Sequence, residues 1–315
     1  MRKGLAAASL VACTLAAACS TAAAAPAPAP TETPRYTAAP ADMSVVEPEV
    51  ERAALTSRVR FVLPAAEAER WDVVPVAAGE ATALLEQLVT AERAIRDPAV
   101  KGQELAYMGH LQQLVYLRLI ERGDIRDAVF DGIPKDLRPA ADLNIAAGSD
   151  MWLYGPVRVK ELPQWRIVSA PPMADLLRDY RAAEVEFGVP WYYLAAINLV
   201  ETRMGRIRGD SYAGAQGPMQ FMPATWDMYG DGGDINDIHD AILAAGRYLQ
   251  AAGAPKKIEK AIWMYNHDNE YVDAVMKYAE VMRTDPNAFR GYYGWQVYFV
   301  TTHGTYLLPE GWSKT

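Results

Sequence analysis

From Glu80 to Leu119 the apolar residues recur at helical spacing: Leu84, Leu88, Ala91 and Ile95 fall on one face, Met108, Leu111, Val115 and Leu119 on another. The spacing predicts two amphipathic helices packed through those faces. The pattern continues weakly through 134–154, and from Met151 to Ile167 the chain turns short, Pro-broken and β-branched, which predicts strand and loop. Helical periodicity resumes at Ala170, with Gly188 and Pro190 marking the end of one helix and the first turn of the next. The following run, "PWYYLAAINLV", is apolar almost all round and predicts a helix inside the protein. Asn236 or Asp237 is expected to cap a further helix, "DAILAAGRYLQAAG". Near the end, "WQVYFVTTHGTYLLP" alternates β-formers around His303 and Gly304, the pattern of a hairpin. No internal repeat is present. The expected fold is mainly α, with a small β-hairpin near the C-terminus.

The first 25 residues carry two basic groups, an apolar core and small residues at cleavage points, the grammar of an export signal (1–25). The segment is too short and Ala-rich for a permanent membrane span. Both cysteines, Cys13 and Cys19, lie inside it, so the exported part is held by its core without a disulfide. "LVAC" and "AAAC" resemble bacterial lipoprotein processing sites, which gives two outcomes. Lipid on Cys19 or Cys13 anchors the protein outside the cytoplasmic membrane, or cleavage near Ala24 or Ala25 secretes it. Residues 26–48 are rich in Pro, Ala and Thr and read as an extended linker. The rest divides into a helical N-terminal region (49–170), a helical domain (171–285) and a C-terminal hairpin segment (286–315).

Composition narrows the function. With 51% hydrophobic residues in 315, a substantial core is expected. A formal charge of -8 argues against nucleic acid, whose phosphates require a basic face. The four histidines show no metal-ligand spacing, and "GDGGDIND" lacks the alternating acids and terminal Glu of a calcium loop, so no metal or cofactor is implied. "GDSYAG" is not a nucleophile elbow, because its second glycine comes one place late and no strand is expected before it.

Chemistry concentrates after the buried run. "AINLVETRMG" ends in a single acid, Glu201, with Leu194, Ile197 and Asn198 on the turns before it. Desolvation should raise its pKa, and the C-terminal end of the helix dipole acts in the same direction. Arg203, Arg206 and Arg208 would reverse the shift if they turned inward. A carboxyl group protonated near neutral pH suits a general acid, whereas an ion pair with one of these arginines would be purely structural. Gly209, Gly214 and Gly217 then let backbone approach a ligand closely, and Gln220 stands in an apolar "PMQFMP" where its amide needs partners. Trp226, Tyr229, Trp263, Tyr265 and Tyr271 offer flat faces suited to sugar rings, or ordinary core.

In this order, "ET…SYAGAQGPMQFMP…MYN" resembles the lysozyme-like lytic transglycosylases of bacterial cell walls, over roughly Pro171 to Met282. The resemblance implies a lysozyme-like helical domain in which Glu201 is the sole catalytic acid and base. Thr202 stands where the family has Ser. It further implies that Ser211, Met219, Gln220, Tyr265 and Asn266 bind the substrate, the glycan strands of peptidoglycan. The bond between N-acetylmuramoyl and N-acetylglucosamine units would be cleaved to a 1,6-anhydromuramoyl end, without a cofactor. "HDNEY" after the Tyr-Asn pair departs from the family's glycine and bears on the groove wall. Two other readings accompany it. A goose-type lysozyme-like hydrolase would need Asp210, Asp227 or Asp231 to position water. A non-catalytic peptidoglycan-binding protein would have no need of a buried acid.

Overall fold

The computed structural model describes residues 73–154 and 159–314. The segments expected to be an export signal and a linker, both cysteines and the start of the expected N-terminal region lie outside the described residues. Among the described residues eleven helices and four short strands follow one another: α1 (Ala81–Arg96), α2 (Gly102–Glu121), α3 (Gly123–Gly132), α4 (Arg138–Tyr154), β1 (Arg166–Ile167), α5 (Met173–Phe187), α6 (Trp191–Thr202), β2 (Ile207–Arg208), α7 (Pro223–Tyr229), α8 (Ile238–Ala251), α9 (Ile258–Tyr265), α10 (Asn269–Thr284), α11 (Ala288–Tyr293), β3 (Val297–Thr301) and β4 (Gly304–Leu308). The chain is thus mainly helical, and β3 and β4 form the antiparallel hairpin, in register from Val297↔Leu308 to Thr301↔Gly304. Among the described residues no helix is long and apolar enough to cross a membrane.

Both apolar faces read from the sequence are buried, Leu84, Leu88, Ala91 and Ile95 on α1 and Met108, Leu111, Val115 and Leu119 on α2. Helix α5 stops at Gly188, which takes the left-handed conformation at φ 70°, and Pro190 precedes α6. Of the two cap candidates before α8, Asp237 is the cap: its carboxylate accepts from the Asp240 N–H at 3.0 Å.

Two boundaries differ from the sequence expectation. Helix α4 runs on to Tyr154 where strand and loop were expected from Met151. Packing explains the extension, because Met151 lies against the core and the Lys277 ammonium of α10 bonds Asp150 at 2.6 Å. The second difference is β2, in a stretch expected to be loop. Arg166↔Arg208 and Ile167↔Ile207 pair across β1 and β2, and the far edge of β1 is covered by the chain end, where the Ile167 N–H donates to the Trp312 carbonyl at 2.8 Å. Trp165, Ile167, Ile207, Val297, Phe299 and Leu308 close a small second core beneath this ribbon.

The main core is continuous from Ala77 to Trp295. Helix α10 packs against both α4 and α6, so the N-terminal helices and the helix carrying Glu201 share one interior. A buried polar network ties its ends. Glu92 accepts from the Tyr116 hydroxyl and from Gln112 Nε2 at 2.9 Å, and Arg96 links Glu92 to Asp285, the latter at 2.7 Å. Trp295 Nε1 completes it by donating to Gln112 Oε1 at 3.0 Å. Such a network holds elements firmly because each unpaired member would carry a desolvation cost.

Candidate active site

The site begins where α6 ends. Trp191, Leu194 and every residue from Ala195 to Leu199 are buried, so the helix is surrounded by protein, as its all-round apolar pattern requires. It is stopped by three consecutive left-handed residues, Arg203 (φ 52°), Met204 (φ 62°) and Gly205 (φ 78°). Two of the three are not glycine, a conformation that costs about 1–2 kcal/mol per residue. Tertiary contacts hold it: the Met204 side chain is fully buried, and its N–H donates to the Asn198 carbonyl at 3.2 Å.

Glu201 sits in the last turn before this stop. The residue is half-buried, so it keeps an edge to solvent while protein surrounds its carboxyl group. Burial pushes the carboxyl up to about 7 from 4.5, and the hydrogen bond from the Tyr271 hydroxyl to Oε1, at 2.6 Å, pulls the other way. The arginines left open by the sequence are engaged elsewhere. Arg203 donates to the Leu199 carbonyl at 2.5 Å, Arg206 to Tyr293 at 2.8 Å and Arg208 to Asn236 at 2.9 Å. The acid is therefore a desolvated carboxyl held by a phenol, and the ion-pair account of it falls.

The loop after α6 is clamped to the helix one turn before and one residue after Glu201. The Pro218 carbonyl accepts from Asn198 Nδ2 at 2.8 Å and from the Thr202 hydroxyl at 2.6 Å. Tyr180 donates to Asn198 Oδ1 at 2.6 Å, and the Gly205 N–H donates to Thr202 Oγ1 at 3.1 Å. A serine at 202 could make the same bonds, so the threonine keeps this function. Gly217 is obligatory, because a Cβ there would lie 1.8 Å from the Ile235 carbonyl oxygen.

The structure distributes the other predicted residues unevenly. Tyr265 is buried beneath the loop with its hydroxyl donating to the Met219 carbonyl at 2.5 Å; burial raises its pKa, and the nearby Glu201 carboxylate raises it further. Met219 takes part through that carbonyl, since its side chain belongs to the core. Gln220 is buried in a left-handed conformation (φ 52°) and bonds the Gly217 carbonyl through Nε2 at 2.9 Å. Ser211 Oγ accepts from the Ala215 N–H at 2.9 Å, closing a turn within the loop. Asn266 is buried at the end of α9, its carbonyl accepting from the Asp268 N–H at 2.8 Å. Glu201, Tyr265, Tyr271 and the Met219 backbone thus come together, while Ser211 and Asn266 shape the loops around them.

Tyr271 is the residue whose role sequence reasoning missed. Of the two readings for its ring, a sugar face or ordinary core, the second holds, and its hydroxyl in addition holds the acid. Asp268, three residues earlier, caps α10 and signals that Tyr271 lies in a first helical turn. Of the other aromatics, Tyr229 is buried, Trp226 is half-buried and Trp263 is 40% exposed. Asp210, Asp227 and Asp231 are all exposed; Asp210 accepts weakly from Gln216 at 3.5 Å, and Asp231 pairs with Arg247 at 3.0 Å. Comparison with known proteins finds no family model, no curated protein and no solved structure that matches this chain, and the site is read from its own chemistry.

Proposed function

We propose that this protein is a peptidoglycan lytic transglycosylase with a lysozyme-like helical catalytic domain, exported to the cell envelope and either lipid-anchored or secreted. The observation that carries the reading is the Glu201 carboxyl group: partly open to solvent, pushed up to about 7 by burial, held by Tyr271 and not by an arginine. Such a group is protonated often enough near neutral pH to donate, and ionised often enough to accept afterwards.

In the reaction, the Glu201 carboxyl protonates the oxygen linking the muramoyl and glucosaminyl sugars as the bond from that oxygen to the anomeric carbon breaks. The resulting carboxylate takes the proton of the muramoyl primary hydroxyl, whose oxygen closes on the anomeric carbon. The anhydro end forms, Glu201 is protonated again, and water is not consumed. One carboxyl group suffices because the nucleophile is internal, whereas hydrolases generally require a second polar group to direct water. Among the described residues, burial and Tyr271 set the Glu201 pKa with no second acid contributing, which supports the internal nucleophile. Tyr271 orients the acid, and the clamped loop bearing Gln220 holds the sugar against it.

Digestion of purified peptidoglycan tests the proposal. Products are expected to end in anhydromuramoyl residues and to keep their masses on borohydride treatment, and Glu201→Gln is expected to cut turnover at least about 100-fold. Products that gain hydrogen on reduction would identify water as the nucleophile and reject the transglycosylase reading. Near-normal turnover by the Gln variant would move the chemistry away from Glu201.

A further inference from the structure

Strand β2 begins shortly after α6 ends, and the two faces of the β1–β2 ribbon differ in kind. Ile167 and Ile207 turn into the smaller core, while Arg166 and Arg208, directly opposite each other, share the other face. Residues so paired have Cβ atoms about 5 Å apart, and like charges there destabilise the ribbon. Arg206, two residues before Arg208, adds a third cation.

Among the described residues Arg166, Arg206 and Arg208 make no ion pair, although the chain holds 39 acids against 31 basic residues. Burial and the adjacent Arg166 guanidinium lower the Arg208 pKa. The nearby acids oppose these shifts from beyond ion-pair distance and have other partners: Asp237, which raises the Arg208 pKa, caps α8, and Glu310, which raises that of Arg206, accepts from the Ser169 hydroxyl. Arg206 is buried, and its Nε has no hydrogen-bond partner.

The arginine face adjoins the loop of the candidate site. Arg208 donates to the Asn236 carbonyl, the preceding Ile235 carbonyl lies against Gly217, and Gln220 bonds the Gly217 carbonyl. We propose that Arg166 and Arg208 form a carboxylate-binding subsite beside the cleft, which takes free carboxylates of the peptide stem carried by the muramoyl sugar. The inference rests on the proposed peptidoglycan substrate. Guanidinium forks suit carboxylates because they bind both oxygens at once, and an anion between the two arginines relieves their repulsion. A strand stripped of its peptides loses these carboxylates and keeps only the lactyl carboxylate at the muramoyl ring.

The test compares turnover of intact glycan strands with turnover of the same strands stripped of peptides. In the Arg166→Gln, Arg208→Gln double variant, kcat/KM is expected to fall about tenfold more on peptide-bearing strands than on stripped ones. An equal fall on both substrates, or no fall on either, overturns the subsite. A second arm reads binding without turnover, following the arginine Nε–H signals by NMR during titration with an acetylated stem tripeptide. Arg166 and Arg208 signals are expected to move with the free-carboxylate peptide and not with its amidated form. Equal movement with both peptides, no movement, or tighter binding of inorganic phosphate overturns the assignment. If the wild type cuts neither glycan, the proposed activity fails, and the titration still decides the arginine site.

Discussion

Replacing Glu201 by Gln should make the folded protein more stable at neutral pH while removing the proposed activity, because the native carboxyl is held against its preference for water. Its pKa stands at about 7 in the fold against 4.5 for an ordinary glutamate, so between these values the folded state binds a proton that the unfolded chain has released. Wild-type stability is therefore fully present below pH 4.5 and declines as pH rises to about 7. At about 1.36 kcal/mol per unit the full loss is about 3 kcal/mol, and the solvent-open edge of Glu201 reduces it to about 1–2 kcal/mol. Glutamine does not titrate, and its amide oxygen can still accept from Tyr271. The assay is urea unfolding of both proteins from pH 4 to 8. The two curves should coincide near pH 4 and separate by about 1–2 kcal/mol at pH 8, or about 2–8 °C in melting temperature. A constant difference across the range, or a variant less stable at pH 8, would refute the argument that desolvation governs this carboxyl.

Tyr271→Phe keeps the buried ring and removes the bond that favours the Glu201 carboxylate, so the acid's pKa should rise further. The alkaline limb of the kcat–pH profile should move up by about one unit, and a downward shift would show that the phenol acts otherwise. Thr202→Val should cost about 1–3 kcal/mol in urea unfolding, because the Gly205 N–H loses its acceptor and the Pro218 carbonyl one of its donors, whereas Thr202→Ser should cost less. A loss for Thr202→Ser as large as or larger than that for Thr202→Val would show that the hydroxyl bonds do not govern the effect, since only the serine variant lacks the methyl group.

The parts of the fold that depend on local periodicity were legible from the sequence. Leu84 to Ile95 and Met108 to Leu119 declare their faces because burial repeats every three or four residues, and Gly188, Pro190 and Asp237 carry their own stop and start chemistry. The ribbon β1–β2 was not legible. Two-residue strands contain too little alternation to read, and their pairing joins Arg166 to Arg208 across the whole of α5 and α6. The extension of α4 to Tyr154 escaped for a related reason, since it depends on α10, more than a hundred residues later.

The candidate site divides along the same line, and the division bears on how the acid is held. Glu201 stands out as the one acid closing an apolar run, so its desolvation can be anticipated from its neighbours alone. What keeps that costly group in place is long-range. Tyr271 reaches it from α10, and Tyr180 on α5 steadies Asn198, which with Thr202 grips the Pro218 carbonyl. Left-handed Arg203, Met204 and Gln220 add backbone strain on both sides of that grip. A raised carboxyl and strained backbone both favour local opening, and the polar clamp opposes it from two helices at once. Loosening the clamp would let water reach Glu201 and return its pKa toward 4.5, so the same bonds that position the loop also hold the carboxyl in the range that the proposed activity requires.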